Sequence, residues 1–184
     1  MNQAIKILII APTLDTFLGG QAVQGARLLE KLNQEPGIQA DIQSIAPRFL
    51  PKLQQIKYIR TFLAAAKYLF DITTKIPSYD IIHIFSAAHV SFLIAPTLGV
   101  LVAKVFGKRT VLNYRSGQLE AHYANWHTTL KPTLRLFDKI VTPSNYLVGV
   151  FANYGFEAQS VYNFVDIERF KFRELRKRVK TKKC

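Results

Sequence analysis

Residues 5–11 read IKILIIA and are followed by Pro12. A continuous run of β-branched and aliphatic residues closed by a proline is typical of a parallel strand that is buried on both faces. Gly19 and Gly20 follow in a short loop, and residues 21–32 then carry apolar side chains at helical spacing. The stretch therefore predicts one strand–loop–helix unit.

The same unit recurs along the rest of the chain. Further strands are predicted at 38–45, 79–85, 109–114, 139–142 and 159–162, and further helices at 52–74, 89–106, 126–137 and 144–154. Residues 115–125 are predicted to form a polar loop. Alternation of strands and helices predicts an α/β fold, a Rossmann-like parallel sheet with helices on both faces, and ligands bind such sheets beyond the carboxyl ends of the strands.

Composition narrows the class of protein. The chain has 184 residues, of which 49% are hydrophobic and 20% are charged, as expected for one globular domain. A single cysteine, Cys184, excludes a disulfide framework and a cysteine metal cluster, and the four histidines lack metal-ligand spacing, so no metal site is expected. Residues 84–103 reach membrane-spanning length, but they contain His89 and Pro96, and a buried strand, loop and helix is the preferred interpretation.

The positive charge is divided between a body and a tail. The formal net charge is +13, and residues 171–184 hold eight basic residues and one acidic residue, which is about half of the excess. The aromatic residues do not alternate with lysine and arginine as stacking platforms do, which argues against nucleic-acid binding. The basic helix at 52–75 and the tail instead suggest docking on an anionic membrane surface, or a tail that is merely solvated.

Several loop residues are candidates for chemistry. Gly19 and Gly20 let a backbone approach a ligand closely, and the following helix offers free N–H groups to an anion, although a flexible turn would look the same. Arg115 ends a strand, where a guanidinium can bind a phosphate or a carboxylate, although a surface salt bridge is the alternative. His122 lies in the predicted polar loop with Glu120 nearby, and its alternative is a solvated histidine. His83 lies inside a strand and is expected to be a packed core residue.

Four segments, taken in order, resemble the N-terminal domain of family-4 retaining glycosyltransferases. They are KILIIAPTLDTFLGGQAVQGARLLEKL, YDIIHIFSAAHVSFLIAPTLGVLVAKVFGKRTVLNYRSG, DKIVTPSNYLVGVFANYGF and VYNFVDIERF, and the resemblance runs from residue 5 to about residue 170. It implies the GT-B architecture, in which two Rossmann-like domains face each other, the first binds mainly the acceptor and the second binds the nucleotide sugar. It also implies transfer without a bound metal or other cofactor, with the nucleotide sugar as co-substrate.

The resemblance assigns roles to individual residues. Gly19 and Gly20 would approach the donor phosphates. Where the family often has a histidine beside the acceptor, this chain reads NYRSG at 113–117, so Arg115 takes that place or His122 supplies the imidazole. Arg115 and His122 are therefore the catalytic candidates. The acceptor-side candidates are His89, Ser116, Ser144 and Asn163.

The resemblance also implies a domain organisation. Residues 1–170 form the acceptor-side half, residues 171–184 form a basic tail, and the donor-binding domain with its paired glutamates is absent, so the chain alone is expected to be inactive. The expected partners are a sugar or lipid-linked acceptor, the missing domain in cis or in trans, and an anionic membrane surface. The expected location is the cytoplasm, including the inner membrane face. The alternative function is a non-catalytic module that binds an acceptor or a membrane.

Overall fold

Strands and helices alternate along the whole described chain. The structure is a computed structural model that describes residues 4–16, 19–45, 57–86 and 90–165, without the side chains of 57–62, 90–91 and 93–94. Within these residues the strands are β1 Ile5–Ala11, β2 Ile38–Ser44, β3 Ile81–Ser86, β4 Arg109–Tyr114, β5 Lys139–Thr142 and β6 Gln159–Ser160. The helices are α1 Gly20–Gln34, α2 Lys57–Lys75, α3 Val90–Val105, α4 Leu119–Arg135 and α5 Asn145–Asn153, with a 3₁₀ turn at Ile76–Ser78.

The strands form one parallel sheet in the order β2-β1-β3-β4-β5-β6. All five neighbouring pairs are parallel, and β1 is paired with both β2 and β3. The chain passes outward from β1 to β2, returns across β1 to β3, and then continues in one direction. The connections after β1 and β3 therefore run toward opposite edges of the sheet. The place where they separate is the switch point, and open α/β sheets bind their ligands there.

The helices are divided unequally between the two faces of the sheet. Along β1, Ile7 and Ile9 pack with the apolar side chains of α1, whereas Leu8 and Ile10 pack into a larger core. This larger core contains buried side chains from α2, α3, α4 and α5. Successive strand residues point to opposite faces, so α1 covers one face and the other four helices cover the other. The prediction of a Rossmann-like sheet with helices on both faces is confirmed.

A missing side chain brings α3 close to the sheet. A Cβ atom on Gly99 would lie 2.8 Å from Ile84 Cδ1 and 3.3 Å from Tyr68 Oη. The Tyr68 hydroxyl, buried between the helices, donates a hydrogen bond of 2.9 Å to the carbonyl of Ala95. These contacts hold α2 and α3 together as a pair on the sheet.

Proline does not break α3. Pro96 lies inside the helix and has no N–H for the carbonyl of Phe92, but the Thr97 hydroxyl donates to that carbonyl at 3.1 Å. The residues from 84 to 103 form the end of β3 and most of α3, as the strand–loop–helix interpretation predicted, with 87–89 outside the described residues. In the part of the chain that the structure describes, no helix combines the length and the apolar character needed to cross a membrane.

The prediction that failed is the long polar loop after β4. Helix α4 already begins at Leu119 and continues through a kink at Trp126. Leu119, His122, Leu130 and Leu134 are all buried, and they form the inner stripe of this helix. Polar residues on the outer face hide that stripe in the sequence, because the average composition of 115–125 is that of a loop.

Candidate functional site

The candidate residues lie at the carboxyl edge of the sheet, where the loops after β1, β4, β5 and β6 meet. Gly19 and Gly20 begin α1, Arg115 and Ser116 follow β4, Ser144 follows β5, and Asn163 follows β6. His89 lies outside the described residues. The site is therefore built from four connections of one sheet edge.

The glycine pair begins α1. Gly19 is the N-cap residue with an extended backbone, no side chain of the described residues caps the helix, and its first turn contains no acidic residue. Among the described residues, a Cβ atom on Gly20 would meet no atom within 4 Å. Neither packing nor backbone conformation therefore requires glycine at position 20, and the open space beside the first N–H groups of α1 can admit an anion.

One carbonyl joins α1 to β4. Ser86 ends β3, and its carbonyl oxygen accepts a hydrogen bond of 3.3 Å from Gln21 Nε2 and one of 3.0 Å from the backbone N–H of Arg115. Gln21 is the residue after the glycine pair. The beginning of α1 and Arg115 therefore lie against the same strand end.

Arg115 is half-buried and oriented by its neighbours. Its Nε donates to Asn113 Oδ1 at 3.0 Å, its Nη1 donates to Asn163 Oδ1, and its guanidinium carbon lies 5.1 Å from the centre of the Phe85 ring. Burial lowers the pKa of Arg115. The side chain is thus held across the strand ends by two asparagines and an aromatic ring, and a guanidinium in a fixed orientation is suited to a bidentate contact with an anion.

The buried side-chain amide of Asn113 holds Arg115 in place. Asn113 is 4% exposed, and while its Oδ1 accepts from Arg115, its Nδ2 lies 3.1 Å from His83 Nε2. Burial, and next the positive charge of Arg115, lower the pKa of His83 to about 4. A neutral His83 accepts the Asn113 amide hydrogen at Nε2 and carries its own hydrogen on Nδ1. His83, Asn113 and Arg115 therefore form one hydrogen-bonded row that ends at Asn163.

The segment after β6 is hydrogen-bonded to α1. The backbone N–H of Phe164 donates to Gln24 Oε1 at 3.0 Å, and its carbonyl accepts from Gln24 Nε2 at 3.0 Å and from Arg27 Nη1. Beside it, the Arg115–Asn163 bond ties the same segment to β4. The segment is thereby held between the helix that follows the glycine pair and the strand that carries Arg115.

Two predicted hydroxyl groups serve local structure. Ser144 Oγ accepts the backbone N–H of Leu147 at 3.4 Å, so Ser144 is the N-cap of α5. Ser116 Oγ accepts the backbone N–H of Gln118 at 3.2 Å in the turn before α4. Their place at the carboxyl edge agrees with the expectation, and their acceptor-side role stays a prediction.

His122 lies in the core and not in a solvated loop. It is 1% exposed on α4, its Nδ1 lies 3.2 Å from Tyr114 Oη, and its ring meets Phe92 edge-on at a centroid distance of 5.2 Å. The imidazole belongs to the inner stripe of α4, whose burial the sequence did not reveal. The catalytic roles of His122 and Arg115 both stay predictions.

Sequence reasoning missed the residues that support the site. Gln24, Arg27 and Asn113 were not among the candidates. Asn113 is an amide inside an otherwise apolar strand, which is a signal that could have been used. Gln24 and Arg27 are three residues apart on one face of α1, but such a pair is common on solvated helices, and their partner Phe164 lies far away in sequence.

The opposite edge of the sheet holds two clefts of about 260 and 400 Å³. Lys139 and Glu157 line the smaller one, and Ile5 and Arg109 line the larger one. Both clefts lie at the amino ends of strands and contain none of the candidate residues. Among the described residues, no group of three or more histidine, cysteine, aspartate or glutamate side chains is arranged to hold a metal ion.

The comparisons with known proteins show the fold. No family model matches the chain, and no curated protein matches it. Among solved structures, the S. aureus MnaA-UDP co-structure is similar, with a TM-score of 0.51 at 14% sequence identity over 82% of this chain. The chain spans 41% of the MnaA chain. At this identity the likeness shows a shared Rossmann-like fold, and the resemblance to family-4 glycosyltransferases stays a prediction.

Proposed function

We propose that this chain is the acceptor-side half of a glycosyltransferase that moves a sugar from a nucleotide sugar to an acceptor. The observation that supports the proposal is that Gln21, at the beginning of α1, and the backbone of Arg115 bond to the same carbonyl, that of Ser86, at the switch point of a Rossmann-like sheet. The beginning of a helix and a guanidinium both attract anions, and the diphosphate of a nucleotide sugar is an anion. The fold is also that of MnaA, whose co-structure contains UDP.

In this proposal the two anion-attracting features contact the leaving diphosphate. The first N–H groups of α1 approach it because Gly20 leaves open space, and the guanidinium of Arg115 adds hydrogen bonds from a fixed orientation. Such groups stabilise the negative charge that develops on the leaving phosphate without a metal. The other donor contacts, and the paired glutamates that the resemblance implies, come from a second domain.

The proposed site is tested by comparing two arginine variants, one at each end of β4. Arg109 begins β4 and Arg115 follows its end, about 20 Å away along the strand. Replacing either one by methionine removes the same charge from the protein, and over this distance salt screens the charge of Arg109 from the site. Arg109→Met is therefore a matched control for Arg115→Met.

Binding is measured by NMR titration of the ¹⁵N-labelled chain with UDP, pyrophosphate and uridine. We expect UDP and pyrophosphate to shift the amide signals of Gly20 and Gln21, and we expect uridine to shift them much less. Loss of charge-assisted hydrogen bonds in Arg115→Met should weaken binding about tenfold or more, while Arg109→Met stays close to the unchanged chain. Equal weakening by both variants would indicate general charge attraction and would contradict the site.

Gly20 provides a second test. Gly20→Ala adds a methyl group where no atom lies within 4 Å, so the fold tolerates it, but a phosphate that approaches the backbone would meet it. Gly149→Ala is the matched control, because Gly149 is also a helical glycine with open space and lies on α5. We expect only Gly20→Ala to weaken UDP binding, and unchanged binding would remove the glycine pair from the proposed site.

A third test concerns the proposal that this chain is only the acceptor-side half of the enzyme. The purified chain is incubated with a panel of nucleotide sugars, and the released nucleotide is measured by mass spectrometry. We expect no turnover by these residues alone, because in this proposal the donor contacts come from a second domain. Turnover by the chain alone at ordinary enzymatic rates would show a complete site and would contradict the proposal of a half enzyme.

A further inference from the structure

The side-chain amide of Gln24 bonds to both backbone groups of one distant residue. Its Oε1 accepts the N–H of Phe164 at 3.0 Å, and its Nε2 donates to the carbonyl of the same residue at 3.0 Å. Arg27, which lies one turn later on α1, donates to that carbonyl as well. Hydrogen bonds are directional, so two bonds from one amide fix both its position and its plane. We call this pair of bonds between Gln24 and Phe164 the Gln24 clasp.

The Gln24 clasp restrains the backbone that is attached directly to Asn163. A peptide unit is planar, and the N–H of Phe164 belongs to the unit that begins at the Cα atom of Asn163. The preceding backbone bond is made by the N–H of Val161, just after β6. At 162 and 163, no backbone hydrogen bond joins the chain to another described residue. Gln24 is therefore the next backbone anchor after β6, and it restrains the Cα atom of Asn163.

Asn163 connects the Gln24 clasp to Arg115. Its side-chain oxygen accepts a hydrogen bond from Nη1 of the guanidinium, while Asn113 accepts one from Nε at 3.0 Å. Asn113 is a buried residue of β4, whereas Asn163 is exposed and lies outside the strands. An acceptor on a loop orients a guanidinium only if its own backbone is held, because otherwise the two side chains turn together. The orientation of Arg115 at Nη1 therefore depends on the clasp.

We propose that Gln24 is a positioning residue, which orients Arg115 through Phe164 and Asn163 and thereby increases the affinity of the site for a diphosphate. The diphosphate rests on the proposed function, whereas the orientation of Arg115 does not. An oriented guanidinium loses less freedom when it binds, so the clasp favours the state that is ready to bind. By linkage, a bound diphosphate strengthens the clasp by the same factor.

The orientation of Arg115 is tested first, and this test needs no ligand. Gln24→Met keeps the approximate length of the side chain and removes both of its hydrogen-bonding groups. Gln34→Met is the matched control, because Gln34 is exposed at the end of the same helix and accepts a bond from Lys31. NMR measures the exchange of the Arg115 Nε–H with water. We expect it to be about threefold to tenfold faster in Gln24→Met, the factor that one hydrogen bond provides, and unchanged in Gln34→Met.

The affinity for pyrophosphate then tests whether Gln24 acts through Arg115. NMR titration compares the unchanged chain, Gln24→Met, Arg115→Met and the double variant. We expect Gln24→Met to weaken binding about threefold to tenfold when Arg115 is present, and by less than about twofold when Arg115 is methionine. Gln34→Met should bind pyrophosphate as the unchanged chain does. A residue that only stabilises the fold would not lose its effect when Arg115 is removed.

Asn163→Ala interrupts the same connection at its other end. It removes the acceptor of Arg115 and leaves Gln24 and Phe164 in place, so it should reproduce both effects of Gln24→Met. In the unchanged chain, saturation with pyrophosphate should slow hydrogen exchange of the Phe164 amide about threefold to tenfold, and Asn163→Ala should abolish this response. Circular dichroism checks that each variant is folded, and Asn163→Ala decides the question if Gln24→Met is not.

Two outcomes would overturn the proposal. One is an Arg115 Nε–H that exchanges at the same rate in the unchanged chain and in folded Gln24→Met, because the clasp would then not orient Arg115. The other is equal weakening of pyrophosphate binding by Gln24→Met with and without Arg115. If the unchanged chain does not bind pyrophosphate, the proposed function is contradicted together with the diphosphate part of this proposal. The exchange of the Nε–H still decides whether Gln24 orients Arg115.

Discussion

Acid should destabilise this protein through one histidine beneath the candidate site. Burial and the charge of Arg115 lower the pKa of His83 from 6.5 to about 4. Between these two pKa values His83 binds a proton in the unfolded chain and not in the folded chain. The stability that the neutral His83 side chain provides is therefore fully present above about pH 7 and is lost as the pH falls. Linkage gives a loss of about 2 kcal/mol between pH 8 and pH 5 from this side chain.

The matched variant is His83→Gln. The glutamine Oε1 takes the place of Nε2 as acceptor for the amide of Asn113, and it does not titrate in this range. Urea unfolding at pH 8 and pH 5 then gives the free energy of unfolding of both proteins. The other histidines and all carboxylates are present in both proteins, so their effects cancel in the comparison.

The expected result is that the unchanged chain loses about 2 kcal/mol more than His83→Gln between the two pH values. NMR titration of the His83 ring should independently show a pKa well below 6.5. Arg115→Met should raise that pKa, because it removes the second cause of the shift. The reasoning would be refuted if both proteins lost the same stability, or if the His83 ring titrated at its ordinary value.

Two further predictions concern the packing around the site. Tyr68→Phe removes the buried hydrogen bond to the carbonyl of Ala95 and should lower the free energy of unfolding by about 1 kcal/mol, measured by urea denaturation with Leu69→Ala as an exposed control. Burial raises the pKa of Asp138, but bonds from Lys104 and Thr110 outweigh it and hold that pKa below its usual value. The Asp138 side chain is 47% exposed and solvent screens its ion pair, so Asp138→Asn should cost less than about 1 kcal/mol at neutral pH. The difference from the unchanged chain should shrink as the pH falls and the carboxylate becomes protonated; a difference that stays constant down to low pH would contradict it.

Local signals in the sequence were sufficient for most elements. The predicted strands at 5–11, 109–114 and 139–142 have the bounds of β1, β4 and β5, because short runs rich in β-branched residues between turn residues leave few alternatives. Ser144 caps α5, and Gly155 ends it with a φ of 78°, a conformation that favours glycine. These features depend on residues within a few positions of each other.

The composition of the candidate site was predicted only in part. Gly19, Gly20, Arg115 and Asn163 were recognised because they follow predicted strands or match the family resemblance. The structure brings Arg115 and Asn163 into contact over 48 positions of the sequence. It also shows which candidate is buried, since His122 belongs to a helix whose polar outer face resembles a loop.

Residue patterns of short range were sufficient to predict that strands and helices alternate, where most of them begin, and which sheet edge carries the glycine pair and Arg115. The strand order, the packing of one helix on one face and four on the other, and the bond between Phe164 and Gln24 across 140 positions follow from the folded structure. The difference lies in the range of the interactions. Propensity, capping and apolar periodicity act over a few residues, whereas burial and hydrogen bonds between distant segments depend on how the whole chain packs.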